Sequence, residues 1–274
     1  MMLPAGLLLV PLVESGPALA ATPGTPWTWG SNNFGELGDG TDANHFTAAP
    51  VTGFAADAVD LGGGREHVVA RRGDGTVWTW GSSQYGQLGS GSTASRSTPG
   101  QVTGLAGVTQ VAAGHYHSMA LLGDGTVRTW GMNGQGQLGD GSTVHRSTPV
   151  RVGTLTGVVA IAAGAYHSVA LLADGTVRSW GRNNLGQLGD GTLSRRTTPA
   201  QVRNLTGATT IGCGRDHGLA VLGDGTVRSW GANGFGQLGD GTTSNRTTPV
   251  TVAGLTGASA VTAGRAYSAA LVGA

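Results

Sequence analysis

Three features of the 274-residue chain predict an all-β fold, a β-propeller of about 50-residue four-stranded blades. A string recurs at constant spacing, a hairpin signal stands inside its copies, and no stretch carries a helical period. The string is Gly123-Asp124-Gly125-Thr126-Val127-Arg128-Thr129-Trp130-Gly131. Asp124-Gly125 supplies the positive φ angles of a tight two-residue hairpin. The next five residues alternate β-branched or aromatic with polar side chains, as a half-buried strand does, and Gly131 stops it. Copies run from Asp74 to Gly81, Asp174 to Gly181 and Asp224 to Gly231, with a shortened one at Pro26-Trp27-Thr28-Trp29-Gly30. Trp29, Trp80, Trp130, Trp180 and Trp230 are spaced 51, 50, 50 and 50 residues apart. The uninterrupted period predicts a single propeller domain of five repeats over 22–274.

Within the third unit, Val108 to Ala113 is a first strand, closed by a turn at Gly114-His115-Tyr116. His117 to Leu122 is a second strand, with Ser118, Ala120 and Leu122 on one face and His117, Met119 and Leu121 on the other. The hairpin leads into the third strand, which ends at Trp130. A long polar loop over Met132 to Pro149 follows, and Val150-Arg151-Val152 is a short fourth strand that Pro149 keeps at a sheet edge. A β-solenoid is the competing architecture, but its coils are usually shorter and lack a hairpin signal in every repeat.

Two stretches, Trp130-Gly131-Met132-Asn133-Gly134-Gln135-Gly136-Gln137-Leu138-Gly139-Asp140-Gly141 and Val111 to Leu121, resemble the signatures of the regulator of chromosome condensation repeat family. The likeness recurs in register at Phe34 to Gly40, Tyr85 to Gly91, Leu185 to Gly191 and Phe235 to Gly241, and covers essentially everything after residue 25. The resemblance implies a propeller, usually of seven blades, used mainly to present a protein-binding face. This chain departs from seven. Second strands around His67, His117, His167, His217 and Tyr267 number five, as do third strands. Because the chain opens on a third strand and closes on a second, pairing Trp27-Thr28-Trp29 with Ser268-Ala269-Ala270-Leu271 would close a five-bladed ring as a monomer. The competing expectation is an incomplete ring that stays open or is completed by self-association.

The 51 glycines fall at fixed offsets, as turn punctuation does. A net charge of +1, with all 16 positive residues Arg, gives no basic field for a phosphate backbone, so nucleic acid is not an expected partner. Cys213, the single cysteine, stands where other units have Gly63, Ala113, Ala163 and Ala263, and is expected to be small and buried rather than reactive. Residues 1–21 read as a signal peptide, from the apolar Leu7-Leu8-Leu9-Val10 and the small-x-small Ala18-Leu19-Ala20 before Ala21, and predict export to the envelope or medium. Met1 to Gly6 carries no basic residue, and Pro11 and Glu14 interrupt the apolar run, so a cytoplasmic location is the alternative. The run is far short of the roughly 20 residues that span a bilayer.

His67, His117, His167 and His217 hold one equivalent position, a pattern that fits a residue satisfying the same neighbours in each blade better than a catalyst or metal ligand. Asp39, Asp140, Asp190 and Asp240, with Ser90 in the second unit, precede glycine in loops and suit turn-forming bonds better than calcium. Arg96, Arg146, Arg196 and Arg246 recur without change and suit structural hydrogen bonding better than an anion-binding ring. There is no nucleophile elbow, phosphate loop or zinc-type cysteine pair, so neither an enzyme nor a cofactor is expected.

The variable positions are the turns after the first strands: Arg65-Glu66, His115-Tyr116, Ala165-Tyr166, Arg215-Asp216 and Arg265-Ala266. Scaffold residues must repeat for blades to stack alike, whereas a surface that reads a partner need not. Arg65, Glu66, His115, Tyr116, Tyr166, Arg215, Asp216 and Arg265 are therefore the candidate protein-binding residues, mixed in sign and rich in the Tyr and Arg types of interface hot spots. Ultraviolet-sensing plant members of the resembled family carry tryptophan in this turn, and none stands there here. Its exchange factors often use an inserted hairpin and a basic tail; repeats of 50 or 51 residues leave no room for such an insert, and the N-terminus is apolar. A secreted interaction or inhibitor-type module is the expected function, and an intracellular guanine-nucleotide exchange or GTPase-regulating protein the alternative.

Overall fold

The computed structural model describes residues 22–273. It opens with a two-stranded sheet of β1 (Trp27–Gly30) and β2 (His45–Pro50). Four four-stranded antiparallel blades follow. The first holds β3 (Ala58–Gly63), β4 (His67–Arg72), β5 (Val77–Gly81) and β6 (Arg96–Gln101); the second β7 (Val108–Ala113), β8 (His117–Leu122), β9 (Val127–Gly131) and β10 (Arg146–Arg151). The third holds β11 (Val158–Ala163), β12 (His167–Leu172), β13 (Val177–Gly181) and β14 (Arg196–Gln201); the fourth β15 (Ala208–Cys213), β16 (His217–Leu222), β17 (Val227–Gly231) and β18 (Arg246–Thr251). A last two-stranded sheet contains β19 (Ala258–Ala263) and β20 (Ser268–Val272). Strands lie in chain order within each blade, and the first strands of successive blades adjoin. The architecture is an all-β propeller, and no helix among the described residues is long and apolar enough to cross a membrane.

Local chemistry explains the elements and corrects two expectations. The hairpin is a three-residue loop, not a two-residue one. Leu122 N–H donates to Thr126 O, Gly125 alone takes a positive φ of 74°, and Asp124 Oδ1 accepts from the backbone and hydroxyl of Thr126. The fourth strand begins at Arg146, earlier than expected, and has Pro149 inside it; a register shift between Arg146 and Val150 accommodates the ring on the outer edge.

Most of the core lies between blades. Trp80, Trp130, Trp180 and Trp230 are fully buried. Trp130 packs against Val69, Val77, Val102 and Leu105 as well as Val111 and Ala120 of its own blade. Its indole N–H donates 2.8 Å to Gln87 O, and Trp80, Trp180 and Trp230 donate in the same way to the carbonyls of Glu36, Gln137 and Gln187.

The expected ring closure does not occur: β1–β2 and β19–β20 are separate sheets. The N-terminal half-blade is docked on the first complete blade, through Trp80 to Glu36 O, Gly40 N–H to Ser97 O at 2.9 Å and a Gly24–Ala58 bridge. The C-terminal half is docked on the last, through His217 and Ser268. The seams between repeat the same bonds and so impose the same turn each time, which holds the two halves at opposite ends of an arc. Trp29 holds the same place in the motif as the four buried tryptophans, yet it is 59% exposed, with no blade among the described residues packed ahead of it.

Candidate protein-interaction face

The turn after the first strand of each complete blade is built over a histidine ring, and Tyr267 takes that place after β19. A Cβ on Gly64, Gly114, Gly164 or Gly214 would collide with the ring of His67, His117, His167 or His217, so only glycine lets the turn lie this close. Ser118 O–H donates to Gln87 O at 2.8 Å, which leaves its oxygen to accept from His67 Nε2–H at 3.0 Å. The ring is thus the neutral Nε2–H tautomer, and the hydrogen bonds run from one blade into the next. His117 and Ser168 repeat the arrangement at 3.0 Å, His217 and Ser268 at 2.9 Å. Gly218 replaces the serine opposite His167, whose ring nitrogens have no partner. Burial lowers the four rings to about 4, 3, 3 and 4 in chain order. They are structural groups, and among the described residues no cluster of three His, Cys, Asp or Glu could hold a metal.

The long loops are framed just as regularly. Asn133 Oδ1 accepts from Leu138 N–H at 2.9 Å and its amide donates to Asp140 and Ser142. Asp140 also accepts from the backbone and hydroxyl of Ser142, a turn-forming role repeated by Asp190 and Asp240. Burial raises the Asp140 carboxyl, but bonds from Ser142 and Arg146 outweigh it and leave its pKa below the ordinary value. Arg146, Arg196 and Arg246 pair with Asp140, Asp190 and Asp240 at 2.7–2.9 Å. Arg96, facing Ser90 instead, donates to the carbonyl and hydroxyl of Thr79 and to Gly100 O. The loop arginines are therefore occupied within their own blades.

These two frames put the turns and the long loops on one side. Arg65, His115, Tyr166, Arg215 and Arg265 line a central cavity of about 650 Å³, whose wall is formed by Gly63, Ala113, Ala163, Cys213 and Ala263. Glu66 and Asp216 stand beside it, 3.5 Å from Arg65 and 3.3 Å from Arg215. Arg265 has no carboxylate partner among the described residues, so the mouth carries a small excess of positive charge. Burial, then the Arg215 and Arg65 charges, lowers the pKa of His115. Burial likewise raises the Cys213 thiol, which stays protonated.

Tyr116 is not on the surface. It is 9% exposed and sits in an aromatic cluster, 5.4 Å from Tyr85 and 6.5 Å from Tyr166 between ring centroids. His115 lies 5.6 Å from Tyr166, His145 lies 5.2 Å from Tyr85, and Arg182 lies over Tyr166 at 5.7 Å. Tyr85, His145 and Arg182 are additions to the turn residues. Their signal was present: each varies between units inside an otherwise regular loop, as Phe34, Tyr85, Gln135, Leu185 and Phe235 do.

The Regulator of chromosome condensation (RCC1) repeat pattern matches residues 23–71, 74–121, 124–171, 174–221 and 224–271, and a second form of it matches 58–87, 108–137, 158–187 and 208–237. The chain belongs to the RCC1 repeat family. Each RCC1 repeat here runs from the third strand of one blade to the second strand of the next, which is why five repeats yield four complete blades and two halves. Over 92 residues, 32% of its length, the chain is 35% identical to the human E3 ubiquitin-protein ligase HERC2, of which the match spans 2%. It also resembles yeast RCC1 (Prp20) in the structure bound to Kap60, with a TM-score of 0.82 and 25% identity over 93% of this chain and 64% of that one. A second structure, Prp20p from Saccharomyces cerevisiae, described with its binding to Gsp1p and histones, superposes with a TM-score of 0.74 at 25% identity, covering 88% and 60%.

Proposed function

We propose that this RCC1-repeat chain is a non-enzymatic scaffold that binds another protein through the face around the central cavity, and that it acts outside the cytoplasm after loss of its leader. The observation that carries this reading is the contrast between constant frame and variable turns. His67, Trp80, Asp140 and their equivalents recur, whereas Arg65, His115, Tyr166, Arg215 and Arg265 differ in chemistry and converge on one cavity. Arg and Tyr at a concave mouth are the residue types that dominate interface energetics. Three arginines beside two carboxylates favour a partner that presents acidic side chains there. Use of this fold for protein recognition also fits yeast RCC1, which has been captured with Kap60.

The test is capture of the partner from native extract on the tagged chain, followed by two variants. Replacing Arg65, Tyr166, Arg215 and Arg265 together should abolish capture, with about 2 kcal/mol lost for each residue that is a hot spot. Replacing Arg96, Arg146, Arg196 and Arg246 should leave it. Loss only in the second variant, with both folded, moves the site to the long loops. The leader residues lie outside the described residues; a mature N-terminus at Ala21 is expected. Retention of Met1 in a cytosolic fraction would favour an intracellular GTPase-regulating role, the reading closer to Prp20p and its binding to Gsp1p.

A further inference from the structure

The four complete seams define what a seam requires, and a fifth is half built. At each complete seam a glycine leaves space for the next blade's tryptophan: a Cβ on Gly38, Gly89, Gly139 or Gly189 would strike Trp80, Trp130, Trp180 or Trp230 within 2.9 Å. Gly239 is the next in this series, and a Cβ there meets only Val252. Around it Val227, Gln237, Val252 and Leu255 line a cavity of about 300 Å³. Gln237 O already accepts from Ser268 at 2.8 Å, as Gln87 O does from Ser118, but receives no indole among the described residues. Further out, Gly40, Gly91, Gly141 and Gly191 donate N–H to a carbonyl of the next blade's fourth strand at 2.8–2.9 Å, and Gly241 is the next in that series.

The missing parts are present at the other end of the chain, already shaped. β1 and β2 occupy the third-strand and fourth-strand places of the repeat, and Thr28 Oγ1 donates to Leu37 O as Thr79 Oγ1 does to Leu88 O. Trp29 stands at the tryptophan position, and Phe46 at the position whose carbonyl the Gly40-type amide meets; they are 59% and 97% exposed. In the complete blades the second and third strands pair as His167 with Gly181 and Ser168 with Trp180. The same register would pair Tyr267 with Gly30, Ser268 with Trp29, Ala269 with Thr28 and Ala270 with Trp27.

We propose that β1–β2 of one copy completes the half-blade β19–β20 of another, joining copies head to tail. The chain's own β1–β2 is held on the first complete blade by the bonds from Trp80 and Gly40, and forms a sheet separate from β19–β20. A second copy brings the same edge without strain. The contact buries Trp29, Phe46, Tyr267 and Leu271 and removes two open sheet edges at once. It is heterologous, so each joined pair still carries one free β1–β2 and one free β20, and assembly continues past the dimer unless the copies close into a larger ring.

The test uses the whole chain with Cys213 replaced by Ala, in two variants that each carry one new cysteine, Trp27→Cys and Ala270→Cys, mixed under mild oxidation. Cys213→Ala removes the native thiol, which lines the central cavity, and alanine already stands at this place in Ala113, Ala163 and Ala263. A disulfide-linked dimer that forms in the mixture and in neither variant alone supports the proposal. In a chain carrying both substitutions, a ladder of linked oligomers is expected. A linked monomer would show that the chain closes on itself, and absence of any link would show that the edges do not meet; either overturns the proposal. In sedimentation, the native chain should gain mass at least twofold with rising concentration, and Trp29→Ala should stay at the mass of one chain. Equal behaviour of the two would also overturn it.

Discussion

The complete blades and the two half-blades are made of the same repeat and differ only in having neighbours on both sides. Trp130 and Trp29 hold one place in the motif, yet one is fully buried and the other 59% exposed. The lesson is that the repeat is a seam, not a blade: its conserved-looking parts act across the boundary between units, as indole to Gln87 O and as His67 to Ser118. A half-blade keeps its internal strand pairing and loses what the missing neighbour supplied.

Acid should expose this difference most strongly. Four buried histidines at about 4, 3, 3 and 4 are neutral in the fold and charge at about 6.5 when the chain unfolds. Their folded values are depressed, so stability is full above pH 6.5. It falls as pH drops from there toward the folded values, by about 1.4 kcal/mol per pH unit for each ring. Unfolding near pH 5 should take up about four protons through these rings, measured as the slope of log K against pH. Replacing His117 by Asn should reduce that slope by one.

Trp130→Ala should cost about 3 to 5 kcal/mol, whereas Trp29→Ala should change the stability of dilute chain by less than about 0.5 kcal/mol. Denaturant titration of both variants separates seam from free edge. Tyr116→Ala, inside the aromatic cluster, should also cost stability, by about 2 kcal/mol or more. Tyr166→Ala, at the cavity mouth, should cost less. Smaller again, Ser118→Ala should cost about 1 to 3 kcal/mol, because it leaves His67 Nε2–H buried without its acceptor. Ser268→Ala, at the same place in the exposed half-blade, should cost less than Ser118→Ala in the same titration, and equal costs would contradict the contrast.

Much of this was legible in the sequence. The period, the three inner strands of each unit and the structural role of the recurring histidines and loop aspartates all follow from local pattern. Ring closure was not, because it depends on the rotation imposed at each seam, which no single repeat spells out. Complementary ends at Trp27 and Ser268 made closure possible without making it geometrically available. The burial of Tyr116 was hidden for a similar reason: its neighbours Tyr85, in a long loop about 30 residues before it, and Tyr166, in the next blade's turn, come from other parts of the chain. The early start of the fourth strand was masked by Pro149, whose rule against strand interiors relaxes on an outer edge.

Amide hydrogen exchange on dilute single chains tests the central contrast most directly. The N–H groups of β20 that point away from β19 should exchange at nearly unprotected rates, while those of β8 and β12, covered on both sides by paired strands, should follow global unfolding. Protection of the β20 edge equal to that of β8 at concentrations where the chain is monomeric would show that β1 already lies beside it, and would contradict an arc of four complete blades with two open halves.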